Sequence, residues 1–106
     1  MELKDLVYID FSAIEKHAML ISEFAEVFEY KDDTKTDKVR GYKAEFVIAQ
    51  GPTTGVRFNV EFDRLPKAEL MHQYTIEFDE EQSSVYTSKK KFGLQFKIIG
   101  KSLISE

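Results

Sequence analysis

Four stretches of this chain alternate apolar and polar residues with a period of two, and that pattern restricts its fold more than any other feature. In GVRFNVEFD, Val56, Phe58, Val60 and Phe62 fall on one side, and Arg57, Asn59, Glu61 and Asp63 on the other. In GYKAEFVIA, Tyr42, Ala44, Phe46 and Ile48 oppose Lys43 and Glu45. In YTIEFDE, Tyr74, Ile76 and Phe78 oppose Thr75, Glu77 and Asp79, and in FGLQFKII, Phe92, Leu94, Phe96 and Ile98 oppose Gly93, Gln95 and Lys97. Successive side chains of an extended backbone point to opposite faces, so a two-residue period predicts strands that are wet on one side and packed on the other. The aromatic and β-branched content of the apolar sets agrees.

The N-terminal third carries two competing patterns. Ile14, Ala18, Ile21, Ala25 and Phe28 fall at helical spacing, and Ser12 with Glu15 has the form of a capping box. Leu20, Phe24, Phe28 and Tyr30 instead share a strand parity, which makes EVFEY the first arm of a hairpin with GYKAEFVI. The reading that accommodates both is a short N-terminal helical turn near Ser12–Lys16, then a long, bent strand from Ala18 to Tyr30. The charged stretch KDDTKTDKV then reads as an extended loop. In RLPKAELMH, Pro66 followed by good helix formers predicts a short helix. The order is strand, strand, strand, short helix, strand, strand. In a chain of 106 residues and 12.3 kDa this is one domain, 1–106. The fold class is mainly β: a five-stranded OB-like Greek-key barrel with a short helix between strands 3 and 4.

Several function classes lose support. Without Cys there is no disulfide framework, thiolate metal site or Cys nucleophile. His17 and His72 lie far apart and show no metal-ligand spacing, and neither a G-x-S-x-G elbow nor a phosphate-cradling glycine loop occurs. Asp32, Asp33 and Asp37 are interleaved with Lys31, Lys35 and Lys38, unlike a calcium loop. The expectation is a protein that is not an enzyme and uses no metal or cofactor. No apolar run reaches the length of a membrane span, and acids at Glu2, Asp5 and Asp10 do not suit a signal peptide. A cytoplasmic location is expected.

Charge is unevenly placed along the chain. Residues 1–81 hold 10 Lys or Arg against 18 Asp or Glu, a balance of −8, whereas Lys89, Lys90, Lys91, Lys97 and Lys101 against Glu106 give residues 82–106 a balance of +4. An anionic ligand meets the local field, not the total of −4. In an OB barrel the ligand groove crosses strands 2 and 3 between the loops joining strands 1–2 and 4–5. Here those strands offer Arg40, Lys43, Arg57 and Asn59 outward, and the second loop, EEQSSVYTSKKK, offers Tyr86 and Lys89–Lys91. Cations that track a backbone, with an aromatic platform, suit single-stranded nucleic acid. The plainer alternatives are a solvated lysine run, core-phase Tyr42 and Phe92, and cross-strand pairing of Arg57 and Lys43 with Glu45 or Glu61.

Across Ser22–Gln50, SEFAEVFEYKDDTKTDKVRGYKAEFVIAQ, the chain resembles small proteins carried by conjugative elements, plasmids and phages of Gram-positive bacteria. The likeness lies in the aromatic-acidic strand ending in FEYKD, the TDKVRGYK turn and strand, and the apolar run after it. It implies an OB-like barrel akin to single-stranded DNA-binding proteins, serving conjugation or DNA replication of a mobile genetic element, with replication or transfer proteins as partners. The matching positions are Thr36, Asp37, Lys38, Gly41, Tyr42 and Lys43; Lys38 and Lys43 are implied to touch phosphate, Asp37 to bond the turn backbone and Gly41 to permit a bulge. The expected function is thus a non-enzymatic single-stranded nucleic-acid-binding accessory protein. A rival from another class is an acidic protein-interaction module, such as an adaptor or phage-borne inhibitor, motivated by the acidity of residues 1–81.

Overall fold

The computed structural model describes residues 6–87 and 94–106. Its strands are β1 (Ala18–Leu20), β2 (Ala25–Lys31), β3 (Thr34–Ile48), β4 (Arg57–Phe62), β5 (Gln73–Phe78), β6 (Ser84–Thr87), β7 (Leu94–Lys97) and β8 (Ile99–Ser105). The main sheet runs β1-β5-β8-β4-β3-β2, and an added β1–β3 pairing closes five of these strands into a barrel. All of its pairings are antiparallel except β4 with β8, which is parallel and is stitched only at Glu61–Ile99 and Phe62–Gly100. This connectivity fits an OB-like barrel. β6 and β7 form a separate two-stranded ribbon.

The alternating faces of β3, β4 and β5 pack into the barrel as expected, except that Val56 precedes β4 and is exposed. Ala44, Phe46 and Ile48 of β3, Val60 and Phe62 of β4, and Tyr74 and Ile76 of β5 are buried together with Ala18, Leu20 and Ile98. Removing these apolar faces from water is the main favourable term. Tyr42 sits opposite Phe62 and is half-buried, in phase with the core. Two glycines are required by close approach. A Cβ on Gly41 would lie 2.5 Å from the Phe62 carbonyl oxygen, and one on Gly100 only 2.7 Å from Phe62 Cζ.

The bent first strand is two strands. It breaks at 21–24, where the Ser22 hydroxyl accepts the Glu45 amide at 2.8 Å and the Ile21 amide reaches the Glu45 carbonyl at 3.0 Å. β1 then pairs with the end of β3, and β2 with its beginning. The long charged loop expected over KDDTKTDKV is instead a two-residue turn. Asp32 and Asp33 both adopt left-handed φ (53° and 64°), as the tightest hairpin turns require, and β3 resumes at Thr34. Thr36, not Asp37, makes the local tie, donating to the Glu29 carbonyl at 2.8 Å.

The short helix expected after Pro66 is absent: residues 63–72 are loop and turn. Few residues are available there to offset the cost of helix nucleation, and their backbone groups are engaged elsewhere. Leu20 N–H donates to the His72 carbonyl (3.1 Å) and Met71 N–H to the Leu20 carbonyl (2.7 Å), while Glu69 N–H donates to the Tyr74 hydroxyl (2.9 Å). His72 therefore ends no helix. The expected N-terminal helical turn reduces to a 3-10 turn at Phe11–Ala13, where Ser12 bonds Asp10 and no capping box forms. Phe11 packs on Phe78 with ring centroids 5.1 Å apart, and Ile14 enters the core. Among the described residues no helix is long and apolar enough to cross a membrane.

The fifth barrel strand is Ile99–Ser105, not FGLQFKII. The Leu94–Lys97 portion of FGLQFKII is β7, the ribbon arm that packs toward β4, before the chain turns into β8. At the other end of β8, the Glu106 carboxylate accepts the His17 amide (2.7 Å), the His17 ring Nδ1 (2.7 Å) and the Thr75 hydroxyl (2.9 Å). Partial burial raises its pKa. The His17 amide, the Thr75 hydroxyl, the His17 ring bond and the imidazolium charge outweigh that and hold it below its ordinary range.

Candidate functional site

The ribbon folds back beside the outer face of β3 and β4, and its base is fixed by short polar ties. Ser83 Oγ donates to the Asp79 carbonyl at 2.8 Å and accepts the Ile99 amide at 2.9 Å, and Gln82 Nε2 donates to Asp79 Oδ2 at 2.7 Å. The polar run DEEQSS thus becomes the hinge from which β6 and β7 project. Between the ribbon and the sheet lies a cleft whose narrow end, a space of about 200 Å³, brings Arg40, Lys43, Asn59, Tyr86, Phe96 and Lys97 together with Glu61. Asn59, Gln95 and Phe96 also border a wider cavity of about 500 Å³, closed on its other side by Tyr8, Asp10 and Arg57.

The strand geometry explains why these side chains converge. Lys43 and Glu61 are register partners on the outer face, and Asn59 follows on the same face of β4. Arg40 would belong to the inner set by simple alternation. A register shift, however, leaves Val27 opposite Gly41 and Phe28 opposite Val39, so Arg40 is the extra residue of a β-bulge. Its guanidinium forks onto Glu61, with Nε to Oε1 at 3.0 Å and Nη2 to Oε2 at 3.3 Å. Glu61, whose side chain is 14% exposed, thereby offsets one cation. Across both cavities four cations, Arg40, Lys43, Arg57 and Lys97, face two carboxylates, Glu61 and Asp10, so the lining is basic in a chain of net charge −4.

Of the residues singled out from sequence, Arg40, Lys43 and Tyr86 share one cavity and Arg57 lines the adjoining one. Lys38 lines neither; it lies on the β2–β3 arm, 3.8 Å from Glu29. Lys89, Lys90, Lys91 and Phe92 lie outside the described residues. Sequence reasoning missed Tyr8, Phe96 and Lys97. Alternation groups Phe96 with the core set, yet it is 53% exposed on the ribbon. The available signal was its partner strand: SVYT carries too little apolar matter to make β6–β7 part of a barrel wall. Tyr8, 83% exposed, sits in a segment without periodicity.

Among the described residues, no group of three His, Asp or Glu side chains is arranged to hold a metal ion. His72 pairs with Glu69 at 3.2 Å on the surface, and His17 with Glu106 at the barrel closure, both apart from the cleft. No protein-family model matches the chain, and neither a curated protein nor a solved structure shows significant similarity to it.

Proposed function

We propose that this protein is an OB-like, non-enzymatic domain that binds single-stranded DNA, as an accessory to the replication or transfer machinery of a mobile element. The observation that carries the binding reading is the cleft between the ribbon and the β3–β4 face. It combines Lys43, Arg57 and Lys97 with the exposed rings of Tyr86, Phe96 and Tyr8. Cations there meet phosphates while rings stack on bases, each stacked base contributing about 1–3 kcal/mol. The mobile-element role rests on the likeness at Ser22–Gln50 alone. The cleft also lies where OB barrels take oligonucleotides, over strands 2 and 3 and beside the strand 4–5 connection.

The test is fluorescence anisotropy with labelled single-stranded DNA and RNA of mixed sequence at low salt. Saturable binding of DNA that weakens as salt rises is expected, because phosphate neutralisation releases counterions. No binding at about 50 mM salt, where that effect is strong, removes the proposal. Preference for RNA would change the ligand while leaving the cleft's role intact.

A further inference from the structure

The wide end of the cleft differs from the narrow end in holding a carboxylate and a guanidinium that are not paired with each other. Asp10 comes from the N-terminal segment and Arg57 from the start of β4, and both border the cavity of about 500 Å³. Asp10 is oriented by the Ser12 hydroxyl, which donates to Oδ1 at 2.6 Å and leaves Oδ2 as an acceptor. Tyr8 and Phe96 offer open ring faces at the same cavity, 83% and 53% exposed. The size falls within the range of sites for small ligands.

Resting on the single-strand reading above, we infer that this cavity takes one unstacked base of the bound strand and selects guanine. Guanine alone among the four bases carries two acceptors, O6 and N7, for a guanidinium, together with N1–H and an N2 amino group as paired donors for a carboxylate. Adenine and cytosine bring one amino group and lack the matching set. Thymine offers Asp10 one N3–H donor, flanked by carbonyl oxygens that repel a carboxylate in place of guanine's second donor. The carboxylate is therefore a device against the wrong bases as much as a partner for the right one, since it adds negative charge to a path that otherwise suits phosphate. Asn59 and Gln95 carry both donors and acceptors and discriminate less. Tyr8 and Phe96 hold the base plane by stacking.

The experiment compares a thymidine-only oligonucleotide with versions carrying one central guanine, adenine, cytosine or inosine, at one salt concentration. Guanine is expected to tighten binding about tenfold over thymidine, the scale of one good bidentate base contact. Inosine, which lacks the N2 amino group, loses most of that gain without any change to the protein. Asp10→Asn removes the guanine advantage, whereas Glu81→Gln, outside the cleft, retains it; circular dichroism melting establishes that both variants are folded. Equal affinity for guanine and adenine, or a guanine advantage that survives in both inosine and Asp10→Asn, overturns the inference and leaves single-strand binding standing. Failure of every oligonucleotide to bind overturns both.

Discussion

At the scale of single residues, two contacts make separable predictions about stability. Gly100 is pressed against the Phe62 ring and lies 2.9 Å, measured from an added Cβ, from Val60 Cγ1. Gly100→Ala forces that buried ring or the β8 backbone to shift, at a cost of about 1–3 kcal/mol. Urea denaturation should show a lower midpoint with an unchanged slope; an unaltered midpoint would mean that the ring yields freely. Glu106 predicts a pH dependence. Its folded pKa lies below the ordinary 4.5, so its contribution is fully present above 4.5 and is lost as pH falls through the lower folded value. Glu106→Gln never ionises. The stability gap between wild type and Glu106→Gln should narrow as pH falls below 4.5 through the lowered folded value, and a gap that widens over that range would contradict the clamp.

At the scale of elements, legibility tracked periodicity. β3, β4 and β5 were readable because each packs one face on the barrel core, so burial imposed alternation on Ala44–Ile48, Val60–Phe62 and Tyr74–Phe78. The Pro66 helix was misread because propensity says nothing about where Met71 and Glu69 amides find acceptors or donors find partners. Ile99–Ser105 escaped notice because Gly100 and Ser102 hide its alternation, and β7 was mistaken for it because Leu94, Phe96 and Ile98 alternate across a boundary between two elements. Arg40 is a mixed case in the site: its charge places it outward with Lys43, strict alternation would turn it inward, and the bulge is what reconciles the two. The ribbon makes its own prediction. Phe96→Ala should weaken oligonucleotide binding by about 1–3 kcal/mol while leaving the thermal midpoint nearly unchanged, because this ring is outside the barrel core. A large fall in melting temperature with unaltered binding would assign Phe96 to packing instead.

For the whole molecule, charge distribution matters more than its sum. Acidic groups such as Glu77, Glu80 and Glu81 are exposed on or after β5, while the cleft gathers Lys43, Arg57 and Lys97. Such segregation confines a polyanion to one track and sets its salt response. Plotting log affinity against log salt should give a slope of about −0.7 per phosphate neutralised. Reversing Lys89, Lys90 and Lys91 to Glu should flatten that slope if the basic stretch between β6 and β7 adds to the track, and an identical slope would exclude it. The barrel's parallel β4–β8 seam has a further consequence. It is joined by two register pairs, as β1 is to β5, where β3 and β4 are joined by six, so few ladder bonds resist its opening. Under the proposed function, a strand held between the ribbon and the sheet meets this seam at Glu61, so that accommodating bulky bases strains few backbone bonds and spares the six-pair β3–β4 ladder.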